Sequence, residues 1–461
     1  MKRFYLRRIY IGFISVFVFF ILPVVSGGCS FDDKPMLSFP KGSSYNDVWE
    51  KVTKLEKKGL PKSVLQLVDS IYLRAKKDTN YAQIVKSIIY RQKFKMQVEE
   101  DAVKKSLLEL KAEADSAKFP LQPVLYSMLA ESYWLYYQQN RWQFLNRTYT
   151  QSYIPEDIST WDLTRIVNNS RMYYKKSLES KDSLQRTLVN LYDDVLQVYP
   201  ESRELRPTLY DFLVHRAIDF YINSEADVAV SANGFLVDDE EYFSGPEEFI
   251  SNDLDKEDTI SLKLEALRTF QELISFHQEN DSITQMADAN LKRLKFVYNQ
   301  SVIQDKDSVY LNALDKFIEE YPKLSFSKEY LYAKAEVYYT QASQYVPEFN
   351  TRYKDYYQKA KDICNEILLT KSCKHAELNA KYLISQIEAP SMSFSIEAFN
   401  LPNQKILTQI NYRNLDQISI RIAKIDRQKH KNDLEKLDYD EIADFYADID
   451  KLMMEYFIVP F

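Results

Sequence analysis

Apolar residues recur every three or four positions along most of the chain, the spacing that gathers side chains on one face of an α-helix. Val64, Leu67, Val68, Ile71 and Ala75 form one such stripe, and Val103, Leu107, Leu110 and Ala114 another. Comparable stripes run through Leu125 to Tyr137, Leu209 to Tyr221, Leu262 to Phe276, Met286 to Val297, Val309 to Ile318, Leu331 to Ala342, Tyr357 to Ile367 and Ala376 to Ile387. Each predicts a helix, and Pro61 suits the first turn of its own. The region 45–388 therefore reads as an antiparallel array of helical hairpins. At Pro390 the period falls to two: Met392, Phe394, Ile396 and Ala398 alternate with polar residues, followed by Ile406 to Tyr412 and then Ile418, Ile420 and Ile422. These predict three antiparallel strands, the first two joined by a turn at Leu401-Pro402-Asn403. A short helix-like stretch, Tyr439 to Leu452, follows them. The fold class is thus mainly α, with the start of a small β-sandwich over 391–461.

Within the array, Ala313, Phe317 and Tyr321-Pro322, then Tyr332, Ala335 and Tyr339, place small residues where helices approach and end one helix at the Tyr-Pro step. This resembles the tetratricopeptide pattern. A looser copy runs through Val195, Tyr199-Pro200, Leu209, Ala217 and Tyr221, and no strict period joins the two. Between about 223 and 258 the helical pattern breaks into acidic, turn-rich sequence, with Asp238-Asp239-Glu240-Glu241 and Gly245-Pro246-Glu247-Glu248. It lacks the alternating oxygen ligands of an EF-hand, so a solvated loop is expected.

Composition narrows the chemistry. With 45% hydrophobic and 28% charged residues over 461 positions, the chain can bury a large core. It has only 7 glycines, three of them in the N-terminal apolar segment, so no glycine-rich phosphate loop exists. The four histidines, His215, His277, His375 and His430, stand apart from one another and from cysteine at metal-ligand spacing. No metal site, cofactor or enzyme signature follows.

Lys2, Arg3, Arg7 and Arg8 precede an uncharged run from Ile9 through Gly28, and Ser26-Gly27-Gly28 leads directly into Cys29. This is the order of a secretory signal, 1–28. Its ending resembles a bacterial lipoprotein box, which implies that Cys29 is lipidated and becomes the first mature residue, with 29–44 as tether. An uncleaved membrane anchor is the alternative. Removing the four signal cations leaves 56 Lys and Arg against 67 Asp and Glu, a formal charge of −11 that makes nucleic acid a poor partner. The acidic pair Asp32-Asp33 behind Cys29 resembles the surface-export signal of Bacteroidetes lipoproteins, implying the outer membrane, periplasmic or surface side open. Beyond Cys29 only Cys364 and Cys373 remain. In an oxidising compartment a disulfide between them and two free buried thiols both fit.

The signal with Cys29, the helical body and the incipient sandwich together resemble the N-terminal part of Bacteroidetes alpha-2-macroglobulin-like lipoproteins. The likeness spans about 45–430 and is carried by Trp134 to Thr148, Pro155 to Leu163, Leu205 to Leu213 and Leu291 to Phe296. Full-length relatives trap proteases with a bait region, and many hold a Cys-x-Glu-Gln thioester. Here Cys364 is followed by Asn365-Glu366-Ile367 and Cys373 by Lys374-His375-Ala376, so the thioester motif is missing. The bait region is missing too, so against that family the chain is either a truncated product or a fragment that acts alone.

Two functions are weighed. The first is a non-enzymatic, membrane-anchored helical platform that binds or scaffolds protein, with proteases as partners if the chain belongs to a full-length relative. The second is a glycan-binding outer-membrane lipoprotein of the starch-utilisation type, whose best sugar-stacking surface is Tyr133, Trp134, Tyr137, Trp142 and Phe144. Asp-Ser and Asp-Thr pairs followed by an aliphatic residue resemble the O-glycosylation signal of exported Bacteroidetes proteins, which points to Ser183, Thr259, Ser282 and Ser308. Helix capping by Asp258, Asp281 and Asp307 explains part of that set without sugar.

Overall fold

The structure, a computed structural model, describes residues 38–144, 157–228, 235–254, 261–346, 349–370, 372–397, 399, 404–418, 423–425, 427–437 and 457–460. Helices dominate them. The first group is α1 (Tyr45–Lys57), α2 (Pro61–Asp78), α3 (Tyr81–Val98), α4 (Ala102–Ser116), α5 (Leu121–Gln139) and α6 (Arg141–Phe144). A middle group follows with α7 (Leu163–Leu178), α8 (Lys181–Arg186), α9 (Pro200–Leu205), α10 (Leu209–Tyr221), α11 (Ser224–Val228) and α12 (Pro246–Ser251). The last group is α13 (Leu262–Glu279), α14 (Ile283–Gln300), α15 (Lys306–Glu320), α16 (Ser327–Ala342), α17 (Tyr356–Leu369), α18 (Lys374–Glu388) and α19 (Arg427–Leu434). Among the described residues no helix is long and apolar enough to cross a membrane.

The predicted stripes are the buried faces. Val64, Leu67, Val68, Ile71 and Ala75 all face inward from α2, which starts with Pro61 in its first turn. Leu107, Leu110 and Ala114 do the same from α4. Sequence neighbours pack as pairs at both ends of the array, α2 on α3, α4 on α5, α15 on α16, and α16 on α17 and α18. The middle is different. Helix α10 packs against α5, α7, α8 and α13 at once, and every residue from Leu209 to Tyr221 except Asp219 is buried. A helix apolar nearly all round belongs inside a core, so α10 is an axle rather than one blade of a regular stack. Its start is fixed by a reciprocal cap: Asp211 N–H donates to Thr208 Oγ1 (3.1 Å) and Asp211 Oδ2 accepts from Thr208 N–H (2.9 Å).

Three expectations change here. The stretch before Tyr199 is not a helix end: it carries a 3₁₀ turn at Val189–Tyr192, and Tyr199-Pro200 starts α9. The acidic break is not simply a solvated loop. Phe235, Val237, Tyr242, Phe243, Phe249 and Leu254 are buried while Asp238 to Glu241, Glu247 and Glu248 stay exposed, so apolar plugs dock the segment and its carboxylates face water. Arg293, fully buried in α14, fastens it: Nη1 donates to Tyr242 O and Nη2 to Ser244 O, both at 2.7 Å, under the Phe249 ring at 4.1 Å. Burial lowers the Arg293 pKa to about 9, which leaves the guanidinium charged at neutral pH. The predicted caps also fail. Asp281 lies in the left-handed region, Ser282 precedes α14 without a side-chain cap, and α15 begins after Asp305 rather than Asp307. Asp307 instead accepts from Tyr298 Oη and Gln341 Nε2. Asp258 lies outside the described residues.

The change at Pro390 is where expected, α18 ending at Glu388 and β1 (Ser391–Ile396) starting at once. β1 pairs antiparallel with β2 (Thr408–Arg413) in the register Ser391 opposite Arg413 to Ile396 opposite Thr408. Of the predicted third strand, from Ile418 to Ile422, all but Ile418 lies outside the described residues. β3 (Ala423–Ile425) pairs with β4 (Phe457–Pro460) in a separate two-stranded sheet, and α19 lies between them in sequence. The predicted turn at 401–403 and the helix-like stretch 439–452 fall outside the described residues.

Candidate functional site

The proposed aromatic surface is mostly core. Tyr133, Trp134, Tyr137 and Phe144 are buried, and of the five only Trp142 is exposed, at 82%. Tyr133 stacks on Trp161 (5.4 Å) and Tyr173 (5.8 Å), and Trp134 meets Phe220 edge-on (5.5 Å). The cluster staples α5 to α7 and α10. Helical spacing carried the correct signal, since positions 133 and 137 share one helix face and that face points inward.

Cys364 and Cys373 are free thiols, Cys364 inside α17 and Cys373 just before α18. Ser183 and Ser308 are exposed in the opening turns of α8 and α15. Ser282 is half-buried and donates to Asn280 O (3.2 Å). Cys29 and Thr259 lie outside the described residues.

A concave groove of about 1100 Å³ runs between α9, α10, α14, α16 and the start of α18. Its floor is charged. Lys292 of α14 donates to Asp219 Oδ1 (2.7 Å) and lies 3.3 Å from His215 Nδ1 on α10. His215 Nε2 is 3.8 Å from Asp288 Oδ2, and Arg206 is 3.7 Å from the same oxygen. Burial, then the neighbouring positive charges of Arg206 and Lys292, hold His215 well below the usual histidine range. Lys292 Nζ and Asp288 Oδ2 thus flank the two ring nitrogens of the buried imidazole. Burial also lowers the Lys292 ammonium.

A second cluster closes the far wall. His375 Nδ1 lies 2.8 Å from Glu329 Oε1, and the Cys373 thiol donates to the same oxygen at 3.4 Å. The hydrogen bond to Glu329 raises the His375 pKa. Burial and Glu329 push the Cys373 thiol up to about 12. A thiol so placed is a hydrogen-bond donor and a poor nucleophile. Lys295 and Glu336 pair at 3.1 Å, and at the rim Lys374 reaches Glu201 at 4.0 Å across the opening. Among the described residues no group of three or more His, Cys, Asp or Glu side chains is placed to hold a metal ion.

Sequence reasoning missed this groove because its parts come from helices far apart in the chain: Asp219 lies on α10, Lys292 on α14, and Glu329 and His375 are 46 residues apart. The residues Lys292-Arg293-Leu294-Lys295 did hold a signal. Three cations in four positions on one helix cannot share a face, and here Arg293 turns into the core while Lys292 and Lys295 line the groove. No family model, curated protein or solved structure matches the chain.

Proposed function

We propose that the chain is a lipid-anchored, non-enzymatic helical platform of tetratricopeptide-like type that binds a protein segment in the groove between α9, α10, α14, α16 and α18. The observation that carries this reading is the groove itself, about 1100 Å³, lined by side chains on helices that two neighbouring cores hold, with α16 contributing to both. Its charges are paired side to side, so an extended polar peptide can exchange hydrogen bonds with it without leaving a buried charge alone. Attachment through Cys29 at the outer membrane rests on the sequence, and the strands from Ser391 are read as the opening of a macroglobulin-type sandwich. The glycan-binding alternative loses its surface with the burial of Tyr133, Trp134, Tyr137 and Phe144.

The test places a photo-crosslinking amino acid at Thr340, exposed at the groove, or at Leu73, exposed on α2 far from it in sequence. In cells, a protein adduct of one discrete mass is expected from position 340 and none from 73. Equal adducts at both positions, or none at 340, overturn the reading. Cys29→Ala is expected to release the protein from membranes, and full retention of that variant refutes the lipid anchor.

A further inference from the structure

The β1–β2 ribbon is amphipathic in an unusual sense. Strand side chains alternate between faces, so the pairs Met392–Tyr412, Phe394–Ile410 and Ile396–Thr408 share one face, while Ser391, Ser393, Ser395, Gln409, Asn411 and Arg413 share the other. The polar side is tied to the helical body only at Arg413, at the end nearest α18, and its other residues are exposed as well. Arg413 Nη2 donates to Gln386 O (3.0 Å) and lies over the Tyr357 ring (5.6 Å), and neighbouring Asn414 donates to Ile387 O (2.6 Å). These bonds occupy carbonyls at the end of α18 that no helix partner could satisfy. The apolar face is left in water: Met392 is 56% exposed, Phe394 54% and Tyr412 63%. A two-stranded ribbon is marginal alone, and an antiparallel sheet normally packs its apolar face and leaves the polar one wet.

We propose that this face is an interface between two copies of the chain, the two ribbons stacking face to face about a two-fold axis. Its area fits. The five apolar side chains present roughly 500 Å² per copy, so two copies bury on the order of 1000 Å², the lower bound of a specific interface. Its charge fits too. The chain carries a net charge of −7, and the mature form −11, so copies repel over most of their surface. The even-numbered face from Met392 to Ile396 and Thr408 to Tyr412 bears no charged side chain, so a two-fold contact opposes no like charges there. Sheets stack about 10 Å apart, and the pair of ribbons forms a small two-layer sandwich that the described strands of one copy do not build.

The full chain, extracted in detergent, is tested by sedimentation velocity up to about 50 μM, where a dimer with a micromolar dissociation constant is populated. A dimer is expected for the wild type. Phe394→Asp is expected to weaken it at least tenfold, and Ser393→Asp, one position away on the opposite face, to leave it intact. Both sites are exposed, and helical circular dichroism with an unchanged unfolding midpoint verifies that each variant folds. A wild type that stays monomeric over that range overturns the proposal, as does a Phe394→Asp variant that still dimerises like the wild type.

Discussion

The helical body and the β1–β2 ribbon meet within two residues of Pro390 and solve the problem of burial in opposite ways. In the body, Phe270 of α13 and Tyr330 of α16 are completely enclosed. In the ribbon all six residues of β1 are exposed. Both regions have clear apolar patterning, so pattern alone does not decide burial. A helix stripe finds its partner on the next helix in the chain, a few residues away through a short loop, whereas a strand face needs a second layer from elsewhere. The comparison sets a region whose apolar stripes are enclosed by neighbouring helices against one whose apolar face is exposed.

The sharpest way to break that contrast is to truncate one aromatic on each side. Phe270→Ala opens a cavity in the sealed core and is expected to cost about 3–5 kcal/mol. Phe394→Ala, measured by urea unfolding at low protein concentration where any dimer is dissociated, is expected to change stability by less than about 0.5 kcal/mol. A ribbon variant as costly as the core variant shows that the two regions unfold as one unit. Arg293→Met comes next. It preserves length but strands the buried carbonyls of Tyr242 and Ser244, so a loss of about 2–4 kcal/mol is expected, together with faster proteolysis within 235–254.

How much of this was legible in the sequence differs along the same line. The stripe from Val64 to Ala75, the first-turn Pro61 and the boundary at Pro390 follow from periodicity and proline stereochemistry, both local properties. The burial of Tyr133 and Trp134 was readable from helical spacing, but aromatic richness pulled toward a surface reading. Arg293 and the docking of Tyr242 and Phe249 were not readable. A cation in an apolar stripe signals only that something must satisfy it, and beside the nearby Asn290 its partners here are backbone carbonyls about fifty residues upstream. The groove is hidden for the same reason, since pairs such as Lys292 with Asp219 and Lys295 with Glu336 join helices that periodicity predicts singly. The register of β3 with β4 is a non-local pairing that no alternation within β3 can specify.

The smallest effect, and the one that localises the groove to the helical body, is a pH dependence with two opposed parts. His215 has a lowered pKa in the folded state, so below the ordinary histidine value of about 6.5 the unfolded chain takes up a proton that the folded chain refuses. Stability therefore rises with pH up to about that value and is flat beyond it. His375 works the other way. Its folded pKa is raised by Glu329, so its contribution is complete below about 6.5 and is lost as pH rises through the raised value. Because His375 is more than a third exposed, water screens that pair and its share is the lesser one. The unfolding midpoint, followed in urea from acid to mildly alkaline pH, is expected to rise steeply to near neutrality and then decline slightly. His375→Gln should abolish the decline and leave the acid limb, while Phe394→Asp in the ribbon should leave both limbs in place. A decline that persists in His375→Gln assigns it to another group and removes Glu329 and His375 as the pH-sensitive wall of the groove. A profile reshaped by Phe394→Asp instead makes the ribbon part of the body's own stability, against the division at Pro390.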